Sequence, residues 1–228
     1  MSREVLILRP QPGAACTVER ARALGLRPVA APIFAIRPIP WDPPDAGRFD
    51  AVMVTSANAA RHGGDGLASY RAQPCYAVGE TTAAAARSAG FADVRAGPAD
   101  AAALLDLMAA DGVHAALHLA GRDRLDLDHP AVRIHDVAVY AADAQDRLPP
   151  EAETAIDRNA LVLLHSPRAA ALFADLAGER RAGIRIAAIS AATAIAAGDG
   201  WAAVAVARRP RDEALLELAA KLCQNGAE

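Results

Sequence analysis

Small hydroxyl side chains recur in this sequence where a buried strand gives way to a helix. VMVTSANAA (52–60) has this pattern, and VLLHSPRAA (162–170) repeats it 110 residues later. At the carboxyl edge of a parallel sheet, helix N-termini present unpaired backbone N–H groups and a positive dipole end, which suit carboxylates or phosphates. The sequence therefore predicts anion-binding turns. The candidate binding residues are Ser56, Asn58, Thr81, Thr82, Ser166, Arg168, Ser190 and Thr193.

Each of these side chains has a plainer alternative role near the start of a helix, where Ser, Thr and Asn commonly cap the backbone. The repeated placement in both halves favours binding for the set as a whole. AVGETTA (77–83) lacks the lysine and the glycine spacing of a phosphate-binding loop, so no nucleotide is inferred. Neither Ser56 nor Ser166 lies in a G-x-S-x-G turn, which argues against a hydrolase nucleophile.

Tyr140 is a candidate of a different kind, a phenol in the middle of a predicted strand. It is one of only three tyrosines in the chain. A phenol beside a bound ligand can donate a proton or a hydrogen bond. Packing within the strand is the alternative role, and the residues alone leave both open.

Metal chemistry is not predicted. His114 and His118 share one face of a predicted strand but lack a third ligand, so they are interpreted as core or surface histidines. DRLDLDH (123–129) has neither calcium-loop nor zinc-site spacing, and a solvated helix and turn are expected there. No metal site is expected from these residues.

The bulk composition indicates an ordinary cytoplasmic protein. The apolar runs are too short for a membrane span, and Arg3 and Glu4 stand where a signal peptide would have its apolar core. Cys16, Cys75 and Cys223 are odd in number and far apart, as reduced thiols are. A net charge of −3 gives no general attraction to nucleic acid or membrane surfaces.

Strands and helices alternate along the whole chain, which predicts parallel strands joined by right-handed crossovers. The alternation is duplicated, because AVGETTAAAARSAGF (77–91) matches AISAATAIAAGDGW (188–201) at nearly the offset of the two serine turns. The extended segments 28–36 and 133–143 hold equivalent places in the two halves. We interpret them as strands that carry the chain from one domain to the other and back.

This organisation predicts an α/β fold of two parallel-sheet domains, related by internal duplication and joined by a two-stranded β hinge. Residues 1–34 and 143–228 are expected to form one discontinuous domain, and residues 38–138 an inserted one. The hinge strands are placed at 35–37 and 139–142. The active site is expected in the cleft between the domains.

A series of stretches resembles the uroporphyrinogen-III synthase family in order and spacing. They are LILRPQPGA, PVAAPIFAI, VMVTSANAA, YAVGETTAAA, LHLAGRDR, VAVYAA, LLHSPRAAALF and AAISAATAIAA. The resemblance implies the two-domain fold above and a cyclising lyase of haem- or cobalamin-type tetrapyrrole biosynthesis that needs no cofactor. Its substrate would be hydroxymethylbilane, a linear tetrapyrrole with eight carboxylates, which is closed to uroporphyrinogen III with inversion of ring D through a spiro pyrrolenine.

The same resemblance implies roles for single residues. Tyr140 matches the tyrosine that helps the ring-A hydroxyl to leave. Ser56, Thr82, Ser166 and Thr193 match hydroxyl residues at the turns that hold acetate and propionate groups.

Two residues depart from the family pattern, since Ser190 replaces a glycine and Ala192 replaces a threonine. A side chain at position 190 would restrict the approach of a ligand to the backbone amides. A non-catalytic tetrapyrrole or polycarboxylate-binding protein is therefore the alternative function. The expected partner is the linear tetrapyrrole, bound by a monomer that makes at most a transient contact with the preceding pathway enzyme. No nucleic-acid or membrane partner is expected.

Overall fold

The computed structural model describes residues 4–98 and 100–224. Within these ranges the strands are β1 Glu4–Ile7, β2 Arg27–Ala30, β3 Phe34–Pro38, β4 Ala51–Val54, β5 Cys75–Val78, β6 Val94–Gly97, β7 Ala115–Gly121, β8 Arg133–Ala144, β9 Leu161–Leu164, β10 Arg185–Ala188 and β11 Ala203–Val206. The α-helices are α1 Gly13–Ala23, α2 Ala57–His62, α3 Gly79–Ser88, α4 Ala101–Ala110, α5 Pro150–Asp157, α6 Pro167–Ala177, α7 Ala191–Ala197 and α8 Asp212–Gln224. Short 3-10 helices lie at Ala46–Arg48, Gly64–Tyr70 and Gly178–Gly183.

The chain divides into two compact units. Unit 1 holds the described residues up to Ala35 and from Ala144 onwards, and unit 2 is Ile36–Asp143. The chain leaves unit 1 within β3 and returns to it at the end of β8.

Unit 1 is built on a five-stranded parallel sheet of order β11-β10-β9-β1-β2. The central strand β9 (LVLL) is buried along its whole length, as expected for a strand of a parallel sheet covered on both faces. Val5, Ile7 and Leu163 pack against α1 and α8 through residues such as Leu215. The core of this unit is therefore a helix-on-sheet layer.

Unit 2 is built on a six-stranded sheet of order β3-β8-β7-β4-β5-β6. The strands from β8 to β6 are parallel. Val52 and Leu117 face α2 and α3, whereas Met53 faces the other way, towards Leu104 and Met108 of α4. The predicted fold class of two parallel-sheet α/β domains is confirmed.

Two local expectations were wrong. The segment 123–129 contains no helix, because Pro130 restricts the residue before it and Arg124 is drawn to Asp136 of β8, with 3.6 Å between nitrogen and oxygen. The extended stretch 28–36 is two strands, one in each sheet, interrupted around Pro32, which has no N–H for a ladder.

Candidate functional site

Ser56 lies directly after β4 and before α2. Its backbone is extended (φ −144°, ψ 138°), and its hydroxyl oxygen accepts the N–H of Asn58 at 3.2 Å. The side chain thus caps the helix, and because the oxygen accepts, the hydroxyl hydrogen can still be donated elsewhere. Asn58 is half-buried in the first turn of the same helix. Capping and carboxylate binding are therefore compatible at Ser56.

The second turn of unit 2 joins β5 to α3 through Gly79. This glycine has φ +70°, a conformation that other residues rarely adopt, so it permits the abrupt change of direction. Thr81 is exposed, whereas Thr82 is only 6% exposed. A ligand at this turn would meet Thr81 more readily than Thr82.

An open cavity of about 620 Å³ lies between α2 and α3. Its polar lining comes from Arg61, Glu80, Thr81 and Ser88. Sequence reasoning did not single out Arg61, although it follows Asn58 by three residues on one helix, a spacing that makes the two side chains neighbours. The cavity adds a cation beside Thr81.

Tyr140 sits at an irregularity in the sheet of unit 2. Ala120 pairs with Ala138 but Gly121 pairs with Tyr140, so β8 contains one extra residue, a β-bulge. The Tyr140 ring covers Gly121 closely, since a Cβ at that glycine would lie 2.8 Å from the ring Cζ. The ring is half-buried on the α2 side, and its centroid is 6.5 Å from that of His62. The bulge and the missing Cβ together set the direction of the phenol.

In unit 1, Ser166 stands before α6 as Ser56 stands before α2. It is extended, and its hydroxyl oxygen accepts the N–H of Ala169 at 3.2 Å. Arg168 follows Pro167 in the first turn, with its guanidinium carbon 4.6 Å from the centre of the Phe34 ring. The aromatic ring holds the cation near the start of the helix.

Ser190 caps α7. Its oxygen accepts the N–H of Thr193 at 3.2 Å, and the two hydroxyl oxygens are 3.0 Å apart. Thr193 is fully buried, so Ser190 is the accessible member of the pair. Ser190 has φ −154°, extended backbone that any residue adopts, so this turn does not require the glycine expected from the family pattern.

Sequence reasoning missed a buried network of hydrogen-bonded side chains in unit 2. The Nε2 atom of His118 lies 3.0 Å from the hydroxyl oxygen of Thr55, and Nδ1 lies 2.6 Å from a carboxylate oxygen of Asp136. His118 is 1% exposed. Burial lowers the pKa of His118, although the hydrogen bond to Asp136 opposes this shift. The sequence feature that could have indicated this network is the Thr55-Ser56 pair at a strand end together with a histidine in a neighbouring strand.

A second missed cluster surrounds Asp212 in unit 1. Thr17 and His165 each lie 3.0 Å from one carboxylate oxygen, and Arg20 donates to the other at 2.9 Å. Burial alone would raise the pKa of Asp212, but hydrogen bonds from His165, Arg20 and Thr17 outweigh it and lower the pKa to about 2. The cluster joins α1 and α8 to the end of β9.

The structure places the predicted residues in two groups, one in each unit. Ser56, Asn58, Thr81 and Tyr140 lie around α2 and α3, which pack side by side, and the other group lies on the adjacent helices α6 and α7. Hydroxyl donors beside helix N-termini are suited to carboxylates. In the described part of the chain no set of three acidic, histidine or cysteine side chains is placed to hold a metal ion. No helix among those residues is long and apolar enough to cross a membrane.

Comparison with known proteins identifies a family. A family model described as Uroporphyrinogen-III synthase HemD matches residues 16–217. Uroporphyrinogen-III synthetase from Helicobacter pylori is 17% identical in sequence, with 96% of this chain and 99% of that chain covered and a TM-score of 0.66. A mutant uroporphyrinogen III synthase from Thermus thermophilus is 16% identical, with 98% and 99% covered and a TM-score of 0.50. No curated protein matches the chain. The solved structures show a shared fold.

Proposed function

The chain belongs to the uroporphyrinogen-III synthase family, and we propose that it closes hydroxymethylbilane to uroporphyrinogen III as a cyclising lyase. Family membership confirms the resemblance found in the sequence and makes the protein an enzyme of porphyrin biosynthesis. The observation that carries the proposal is that the matched residues, 16–217, include every candidate binding residue and Tyr140.

The strand-end turns supply the binding chemistry. Ser56 and Ser166 each keep a hydroxyl hydrogen after capping a helix, and Arg61 and Arg168 add positive charge. The Ser190 hydroxyl caps α7 and shares a hydrogen bond with that of Thr193. A hydrogen bond to a charged group contributes roughly 1.5–3 kcal/mol, so a few such contacts hold a molecule with eight carboxylates firmly. Both units carry turns of this kind.

In the proposed reaction Tyr140 donates a proton to the ring-A hydroxyl, which leaves as water while ring A becomes an electrophilic azafulvene that keeps its N–H and carries a positive charge. Ring D attacks the azafulvene methylene through its substituted carbon, which forms a spiro pyrrolenine. The bond from that carbon to its original bridge then breaks, and the bridge rejoins ring D at its unsubstituted carbon. Loss of the hydrogen from that carbon restores the pyrrole and balances the proton donated by Tyr140.

Positioning supplies most of the rate enhancement in this scheme. The activated bilane closes to the type I isomer without an enzyme, so the protein must hold ring D for attack through the substituted carbon. Orientation of this kind can supply about 7–11 kcal/mol of a barrier. The chain's own residues therefore bind and orient the substrate and move one proton.

The non-catalytic alternative was motivated by the loss of a glycine at Ser190 and of a threonine at Ala192. Because Ser190 is extended and caps α7, the serine is accommodated there without strain. We therefore favour the active enzyme. A cytoplasmic location, a monomeric state and a transient contact with the preceding enzyme stay predictions.

Isomer analysis tests the proposal. The purified protein is mixed with freshly prepared hydroxymethylbilane, the products are oxidised to porphyrins, and the type I and type III isomers are separated. An excess of type III over a protein-free control is expected. The type I isomer alone, formed at the spontaneous rate, would contradict the proposal.

A further inference from the structure

Thr55 differs from the other strand-end hydroxyls because its partner is a buried histidine. Thr55 lies directly after β4, whereas His118 and Asp136 lie within β7 and β8. These three strands are neighbours in the sheet of unit 2. His118 and Asp136 are directly paired in the β7–β8 register. Thr55 itself is partly exposed and lies directly after the carboxyl end of β4.

The direction of the hydrogen bonds follows from the donors that each group carries. An ionised carboxylate only accepts, so Asp136 takes a hydrogen from Nδ1 of His118, and Arg124, 3.6 Å from Asp136, complements the negative charge. A neutral imidazole with hydrogen on Nδ1 has a lone pair on Nε2. The Thr55 hydroxyl must then donate to Nε2, and its hydrogen is committed to His118.

Neutral His118 is consistent with its surroundings. Burial lowers the pKa of His118, the hydrogen bond and the negative charge of Asp136 oppose the shift, and the positive charge of Arg124 adds to it. In the β4–β7 register His118 pairs with Met53, which packs in an apolar cluster with Leu104 and Met108 of α4.

Thr55 is therefore an acceptor, in contrast to the capping serines. Ser56 and Ser166 each accept an N–H and can donate to a carboxylate, whereas the Thr55 oxygen can only present lone pairs. Lone pairs that face a carboxylate would repel it. Apart from the ring-A hydroxyl, which the proposed reaction assigns to Tyr140, the donors of hydroxymethylbilane are its pyrrole N–H groups.

We propose that the Thr55 oxygen accepts a hydrogen bond from a pyrrole N–H of the bound bilane, with Asp136 and His118 as the positioning residues that hold it in this role. The inference rests on the proposed function. Carboxylate contacts alone recognise the rim of the substrate, and an N–H contact adds recognition of a pyrrole ring. The hydrogen bonds that link Asp136, His118 and Thr55 thus select the orientation of one pyrrole ring of the bilane.

Steady-state kinetics with hydroxymethylbilane test the contact. Thr55→Val keeps the shape of the side chain and removes the oxygen, so KM should rise about 10-fold with little change in kcat, as for one lost hydrogen bond. Thr55→Ser should restore KM. Thr154→Val, which removes an exposed hydroxyl bonded to Pro150 in α5, is the matched control. An unchanged KM in Thr55→Val would overturn the inference, and Thr55→Ala serves if the valine variant does not fold.

Nitrogen NMR tests the direction of the hydrogen bonds without any turnover. In protein labelled with ¹⁵N-histidine, long-range ¹H–¹⁵N correlations report which ring nitrogen of His118 carries the hydrogen. Hydrogen on Nδ1 alone is expected. Hydrogen on Nε2 would make Thr55 a donor and overturn the inference even in an active enzyme, whereas a wild-type protein without type III product would contradict the proposed function instead.

Discussion

Substitution of Gly121 by alanine should reduce turnover by displacing Tyr140. The added Cβ would lie 2.8 Å from the ring Cζ, 3.0 Å from the hydroxyl oxygen and 3.1 Å from Cε2. Ordinary carbon contacts are about 3.5–4.0 Å, so the ring must shift by roughly 0.5–1 Å. A misplacement of about 1 Å can cost roughly 10²-fold in rate, and overpacking costs about 1–3 kcal/mol of stability. We therefore expect kcat to fall by roughly 10- to 100-fold.

The assay is the rate of type III isomer formation, with thermal unfolding measured in parallel. Gly183→Ala is the matched control, because no atom lies within 4 Å of a Cβ built at Gly183. That variant should keep the wild-type rate. If Gly121→Ala also kept it, the close packing of Tyr140 on Gly121 would have no bearing on catalysis.

A double mutant separates displacement of the phenol from general damage. If Gly121→Ala acts through Tyr140, then adding it to Tyr140→Phe should cause little further loss, because the group that it displaces is already gone. Independent losses that multiply in the double mutant would refute this reasoning.

Three further outcomes are expected. Tyr140→Phe should lower kcat by ~10²-fold with little change in melting temperature, and an unchanged rate in the isomer assay would leave Tyr140 a packing role only. Asp212→Asn should destabilise the protein by about 2 kcal/mol at pH 7, because the folded pKa of Asp212 is depressed from 3.8 to about 2. Because the pKa of Asp212 is lower in the folded than in the unfolded protein, its carboxylate stabilises the fold at pH values above 3.8, and this stabilisation is lost as the pH falls towards about 2. The unfolding free energies of wild type and Asp212→Asn, measured by denaturant titration, should therefore converge in acid, and a difference that stays constant with pH would contradict this. Ser190→Ala should lower the free energy of unfolding by about 1 kcal/mol through loss of the helix cap, whereas Ser190→Gly should lower it by only about 0.3 kcal/mol. In the isomer assay Ser190→Gly should not raise activity.

The strand-end hydroxyls were predictable because local rules govern them. A short buried apolar run followed by serine and small residues indicates a strand and a helix cap, and the 110-residue repeat indicates two similar units. The same rules predicted the fold class. They could not distinguish Thr81 from Thr82, because which face of α3 is buried depends on the packing of that helix on the sheet.

The pairings that connect distant residues were beyond those rules. Asp212 meets Thr17 across 195 positions, and His118 meets Asp136 only in the register of β7 and β8. The bulge that pairs Gly121 with Tyr140 shifts that register by one residue, and a one-residue shift exchanges the two faces of a strand. Sequence alternation alone would therefore have placed Tyr140 on the wrong side relative to Ala138.

The two units use equivalent positions for different partners. His165 precedes Ser166 as Thr55 precedes Ser56, and each of the two contacts a buried acid or base: His165 bonds to Asp212, and Thr55 bonds to His118. Nε2 of His165 lies 3.0 Å from Asp212, whereas Nδ1 is buried without a hydrogen-bond partner among the described residues. A buried polar atom without a partner lowers the free energy of unfolding by about 1–3 kcal/mol. The two turns thus share a local geometry, whereas the side chain before each serine meets the different strands and helices that surround it.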